Sequence, residues 1–216
     1  MEMINILLSP IKEYIEIVKP EFDSIPENRI LWLSEIALYI SEKRAKRLPV
    51  NLTFICTHNS RRSHMAQFWA AASSVYYNVR DIHCFSGGTE ATAFNPRAVK
   101  ALANAGFQIE KQTESANPIY KVRFAEYSDP ENAFSKRYSD PVNPQSDFAA
   151  VMTCSDADEA CPIVYGADAR FPLTYEDPKN ADGSASEALI YDERCRQIAV
   201  EMLFLFSQVK QEIINL

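Results

Sequence analysis

No run of apolar residues in this 216-residue chain approaches the roughly 18–20 needed to cross a bilayer. The opening stretch MEMINILLSPIKEY lacks a basic start, a sustained apolar core and a small-residue cleavage site, so no secretory signal is expected. Both absences point to a cytoplasmic protein without a membrane partner. An excess of basic residues is missing as well. The formal net charge of −7 argues against a general binder of nucleic acid or of acidic membranes. Cysteine is sparse: Cys56, Cys84, Cys154, Cys161 and Cys195 are too few and too scattered for a disulfide framework. In a reducing compartment they read as catalytic, redox-active or buried. Histidine is sparser still. His58, His64 and His83 form no close-spaced ligand pair with Cys154 and Cys161, so no zinc site is expected there. No motif calls for a cofactor, and no repeat or low-complexity tract is present.

What is there is the composition of an ordinary globular protein, 47% hydrophobic and 24% charged. Residues 1–48 read as a separate helical extension packed on the core. PIKEYIEIV puts Ile11, Tyr14, Ile15 and Val18 on one helical face, and ENRILWLSEIALYISEKRAKR does the same with Leu33, Ile36, Ala37 and Ile40. Between them Ser24, Pro26 and Glu27 have the spacing of a capping box. From residue 49 to 216 strands and helices alternate. VNLTFIC, DIHCFS, DFAAVMTC and ARFPLTY read as strands. Helices are expected from Ser63, over PRAVKALANAG, as a short turn in DADEACPIV, and over about 187–213 with Ile198, Met202, Phe206, Val209 and Ile213 facing inward. Such alternation predicts an α/β domain with a parallel sheet covered on both faces. Its reactive groups belong at the carboxyl ends of the strands. One segment, about 120–144, breaks the rhythm: two aromatic and basic runs flank SDPEN, as in an inserted β-hairpin.

The chemistry concentrates in FICTHNSRRSHMAQ, residues 54–67. A bare Cys-x5-Arg spacing means little; its setting means more. Cys56 ends a strand, and Thr57, His58, Asn59, Ser60, Arg61, Arg62 and Ser63 lead straight into a helix. Successive N–H groups in such a loop form a nest for an anion, and the helix dipole adds positive potential. Arg62 offers a planar fork for two oxygens of a tetrahedral oxyanion. The same field favours the Cys56 thiolate, the form that attacks. Ser63 is placed to hydrogen-bond that sulfur and Asn59 to hold the loop, while Arg61 reads as a solvated or substrate-facing charge. Cys154 and Cys161, seven apart in TCSDADEACP, would share one helical face with Cα atoms about 10.5 Å apart. A disulfide needs roughly 4.4–6.8 Å, so the pair is either a switch that unwinds its helix or two buried structural thiols.

FICTHNSRRSHMAQ resembles the signature loop of the low-molecular-weight protein tyrosine phosphatases and their relatives, the thioredoxin-coupled arsenate reductases. FSGGTEATAFNPRAVKALANAGFQI is similar to the stretch after the second strand in both branches. The resemblance spans about 50–215 and omits residues 1–48 and the hairpin. It implies a four-stranded parallel sheet flanked by helices, with Cys56 as nucleophile. His58 stands where the family has glycine, and histidine tolerates a left-handed backbone better than most residues. TCSDADEACP resembles the redox helix of the reductases, which makes Cys154 and Cys161 catalytic. YEDPKN resembles the family's Asp-Pro motif, which makes Asp177 the general acid. The phosphatases follow that motif with aromatic residues, whereas this chain has Lys179 and Asn180; Tyr120, Phe124 or Tyr127 of the hairpin would have to replace them.

The leading expectation is thus a cysteine-dependent oxyanion enzyme that reduces arsenate through a three-cysteine relay, with a thioredoxin-like reductant as partner. The alternative is a tyrosine phosphatase with a phosphocysteine intermediate, acting on a phosphate monoester. A further alternative is a non-catalytic oxyanion sensor in which residues 1–48 mediate dimerisation. Oligomeric state is left open.

Overall fold

The structure, a computed structural model, describes residues 6–161 and 163–214, with side chains as far as Val209. Its centre is a four-stranded parallel sheet in the order β2-β1-β6-β7, built from β1 (Val50–Cys56), β2 (Ile82–Gly88), β6 (Phe148–Met152) and β7 (Ala167–Pro172). β1 and β6 are buried along almost their whole length, as strands covered on both faces must be. One face carries α3 (Arg62–Tyr76) and the long α6 (Glu187–Ile214), with α4 (Pro96–Asn104) against α6. Ile198, Met202, Phe206 and Val209 are buried on α6 as expected, while the side chain of Ile213 lies outside the described residues. Because β2 and β6 flank β1 on opposite sides, the chain order reverses at the carboxyl end of β1. That reversal leaves a crevice there, and it brings the end of β6 beside Cys56: Thr153 donates from both its N–H and its Oγ1 to the Ile55 carbonyl, at 2.7 and 2.9 Å.

α1 (Ser9–Val18) and α2 (Glu27–Ala45) lay Ile11, Ile15, Val18, Leu33, Ile36 and Ile40 into the same hydrophobic cluster as Phe68, Trp69 and Met202. The capping box does not form. Ser24 ends a 3₁₀ turn, Lys19–Ser24, and its hydroxyl donates to the Glu21 carbonyl; Pro26 occupies the position before α2 and caps nothing with its side chain. α3 begins at Arg62, one residue before the expected start, and β2 runs two residues further, through Gly87 and Gly88. A Cβ on Gly88 would lie 2.6 Å from the Thr57 carbonyl and 2.7 Å from the Asn59 nitrogen. Only glycine lets strand and loop meet this closely.

The insertion is larger than a hairpin. β4 (Tyr120–Arg123) and β5 (Glu131–Ala133) pair antiparallel as expected, but β3 (Gln108–Lys111) joins them to make a three-stranded sheet. The second aromatic run forms no strand. It continues as coil along the edge of the main sheet, where Gly88 bridges Arg137. Tyr120 and Phe124 point into the hydrophobic core, and Tyr120 meets Phe94 edge to face at 5.5 Å.

Candidate active site

Cys56 is the last residue of β1 and only 3% exposed. Its Sγ lies 3.1 Å from Ser63 Oγ, on the first turn of α3. The loop between is held from outside through its carbonyls. Thr57 O accepts from Glu90 N, His58 O from Ser135 Oγ and Thr92 Oγ1, and Ser60 O from Asn95 N. The Ser60 hydroxyl donates to Ala93 O. Carbonyls turned outward leave the amides turned the other way: among the described residues no backbone carbonyl accepts from the N–H groups of residues 58–64. Amides without a carbonyl partner beside a helix N-terminus are what an anion nest requires. The residue that takes the left-handed conformation is Asn59, at φ 44°, not His58. Asn59 is the loop's internal brace, donating from Nδ2 to Ser63 Oγ at 2.9 Å and accepting at Oδ1 from Lys136 N at 2.9 Å. The His58 side chain stands at the rim, half exposed, 3.6 Å from Glu90.

Arg62 and Asp177, far apart in sequence, meet at 2.7 Å from NH2 to Oδ2. Arg62 also donates from NH1 to the Tyr175 carbonyl at 2.9 Å, and its Nε is buried with no partner among the described residues. Asp177 precedes a 3₁₀ turn, Pro178–Ala181, and accepts from Lys179 N through Oδ1. Arg61, expected to be a solvated or substrate-facing charge, is not solvated. It is only 12% exposed; Nε donates to Tyr191 OH at 2.8 Å, and the guanidinium sits 3.8 Å from Asp177 and 3.9 Å from Asp182. The Tyr191 hydroxyl in turn donates to Asp182 Oδ1 at 2.8 Å. Burial and that carboxylate together push the Tyr191 phenol up to about 12. Tyr191, Asp182 and Tyr175 were not legible as site residues: their partners lie far along the chain, and no local spacing announces them.

Cys154 and Cys161 do not share a helical face. α5 (Ser155–Ala160) lies between them; Cys154 is extended at its N-cap, φ −149° and ψ 151°, and Cys161 leaves the helix at its C-cap. Cys154 is fully buried, with Sγ 3.5 Å from Thr57 Oγ1 and 3.4 Å from Ala157 N. It abuts the loop that carries Cys56. Cys161 is partly exposed, and Ile163 and Tyr165 beyond it are exposed. The other two thiols sit in the core, where burial pushes Cys84 well up and Cys195 up to about 12. His64 is buried and stacked on Phe94 at 4.0 Å, and burial holds its imidazole well below the ordinary value and so neutral. Among the described residues no three His, Cys, Asp or Glu side chains gather to hold a metal.

No family model matches the chain. It is 30% identical over 159 residues to an arsenate reductase of Bacillus licheniformis, a match covering 72% of this chain and 93% of that protein. An arsenate reductase of Bacillus subtilis is 31% identical over 143 residues, covering 66% and 84%. This chain belongs to the family of these arsenate reductases. Solved structures share the fold: an arginine phosphatase with a phosphorylated active-site serine matches with a TM-score of 0.53 at 17% identity, over 76% of this chain and 97% of its own. A low-molecular-weight phosphotyrosine phosphatase from Vibrio cholerae matches at 0.50 and 14%, over 76% and 98%. The protein is a cysteine-dependent oxyanion enzyme. Among its described residues, no helix is long and apolar enough to cross a membrane.

Proposed function

We propose that the protein reduces arsenate to arsenite. Cys56 attacks arsenic in the loop, forming an S–As bond as one oxygen leaves as water. Arg62 and the loop amides hold the remaining oxygens. An entering oxyanion competes with Asp177 for Arg62, and the carboxylate so released takes up a proton from solvent and delivers it to the departing oxygen. Cys154 then attacks Cys56 Sγ; the S–S bond forms, the S–As bond breaks, and its electron pair stays on arsenic, which leaves as arsenite. Cys161 attacks Cys154, which frees Cys56 and moves the disulfide to Cys154–Cys161. A thioredoxin-like dithiol returns the two electrons. Residues 49–216 form the enzyme proper in this reading, and residues 1–48 an extension of it.

The observation that carries the proposal is Cys154, buried against Thr57 with a partly exposed thiol at the far end of the next helix. Hydrolysis needs neither sulfur. The relatives named arsenate reductase support the same reading. The tyrosine phosphatase reading loses two of the three side chains expected to hold an aryl ring: Tyr120 and Phe124 are packed in the core, and of the three Tyr127 alone is exposed. Cys161→Ser should permit at most one turnover of arsenate with thioredoxin as reductant, trapping Cys56 bound to Cys154, which mass spectrometry detects. Aryl phosphate hydrolysis by the same variant, kept reduced, should be unchanged. Sustained arsenate turnover by Cys161→Ser would rule out the relay.

A further inference from the structure

We propose that Arg29, in the N-terminal extension, is a positioning residue for the segment that carries Asp177. The inference rests on the assignment of Arg62 and Asp177 to the reaction. Arg29 lies on the first turn of α2 and grips Glu201 of α6 with both arms of its fork, Nε to Oε1 at 2.5 Å and NH2 to Oε2 at 2.7 Å. Glu201 is 2% exposed and Arg29 partly exposed, so the pair sits at the edge of the interior. The third nitrogen, NH1, donates to the Thr174 carbonyl at 2.9 Å, and the guanidinium carbon lies 4.8 Å from the centre of the Tyr175 ring. The next carbonyl along, that of Tyr175, accepts from Arg62 NH1, and two residues further Asp177 accepts from Arg62 NH2. Tyr175 N in turn donates to Thr153 O, next to Cys154. Residues 174–177 are thus clamped between two arginines, one from the extension and one from the oxyanion loop.

A pair that served only to tie α2 to α6 would need the two bonds to Glu201 and nothing more. The bond to Thr174 and the stacking on Tyr175 act instead on the backbone that aims Asp177. A guanidinium is suited to this because its planar fork satisfies the carboxylate while the remaining donor and the flat face stay available. An ammonium keeps the charge but cannot hold all three partners in that geometry.

Two variants test this: Arg29→Lys, which leaves Glu201 a cation, and the double variant Arg29→Met with Glu201→Met, which leaves no unpaired buried charge should the lysine fail to fold. In a folded variant, amide hydrogen exchange over 174–180 should accelerate while that of β1 and α3 is unchanged. The turnover number for arsenate with thioredoxin should fall about tenfold, and KM should stay within about twofold, because the acid acts in the transition state while Arg62 and the loop still bind the anion. Protection of Cys56 from iodoacetamide by arsenate, which needs no turnover, should persist. Wild-type exchange over 174–180 and a wild-type turnover number in either folded variant would overturn the role of Arg29. Failure of arsenate to protect Cys56 in the wild-type enzyme would instead overturn the reading of the site, and the exchange data would still decide whether Arg29 holds the segment.

Discussion

At the scale of single residues, the site is governed by how donors are shared. Arg62 spends one nitrogen on the Tyr175 carbonyl and one on Asp177. Lysine at this position would keep the charge but offer one point donor where three fixed ones stand. Arg62→Lys should therefore fold and lose about two orders of magnitude or more in turnover; near-normal kinetics would move the clamp to Arg61 or to the loop amides. Lys136 is the other informative cation. It is 7% exposed, its backbone N–H holds Asn59, and its ammonium lies 5.0 Å from the Phe134 ring. Burial lowers it from the ordinary 10.5 to about 8, against the opposing pull of Asp140 and Glu131. The sign follows from linkage. Below about 8 the lysine is charged both folded and unfolded, and the full cost of burying that charge is present. Between about 8 and 10.5 the unfolded chain holds the proton more tightly, so this cost is relieved as pH rises. Lys136→Met keeps the backbone bond to Asn59 and removes the charge. Its stability gain over wild type, from urea titrations, should be largest at or below pH 8 and shrink towards pH 10.5. A gain that is flat across that window would exclude Lys136 as its source.

At the scale of elements, the form of α5 bears directly on the proposed relay. Two backbone bonds close it, Asp158 N to Cys154 O and Cys161 N to Ala157 O, both 3.0 Å. Arg170 braces its end through Asp158 and the Cys161 carbonyl. α5 spans six residues, about 9 Å of helix axis, and the two thiols stand beyond its opposite ends, farther apart than the roughly 4.4–6.8 Å a disulfide spans. Oxidation to Cys154–Cys161 should therefore break both bonds, and amides 158 and 161 should exchange faster in the oxidised protein; unchanged protection would place the rearrangement elsewhere. The strand, loop and helix around Cys56 were legible because hydrophobic periodicity and a strand-to-helix turn are local signals, and so was the 174–177 segment through its family motif. β3 was not, since QIEK is exposed or half-buried and too short to show a period. Nor was the failed cap at Ser24, where a 3₁₀ turn offered the hydroxyl a nearer carbonyl. Arg61 and Arg29 were illegible for another reason: their partners lie 130 and 172 residues away, and packing alone brings them together.

At the scale of the whole molecule, the extension and the sheet share one apolar interior. Ile11, Ile15, Leu33 and Ile36 belong to the cluster that holds Phe68, Trp69 and Met202, and Arg29 joins α2 to α6 beneath the acid-bearing segment. Removing the extension's helices would expose α6 along that contact. It follows that the chain should unfold as one cooperative unit rather than as an enzyme with a loosely attached appendage. The two tryptophans report on the two parts: Trp32 lies on α2 and is 40% exposed, and Trp69 is fully buried on α3. In Trp32→Phe and Trp69→Phe variants the remaining fluorophore should give the same melting midpoint. Binding couples to the same transition. At 100 times its dissociation constant an oxyanion stabilises the folded state by about 2.7 kcal/mol, which for a chain of this size raises Tm by roughly 5–10 °C. Inorganic phosphate, which cannot be reduced, should shift both reporters by equal amounts, and Arg62→Lys should reduce both shifts together. An early transition of Trp32 that phosphate leaves untouched would show instead that the extension folds apart from the site.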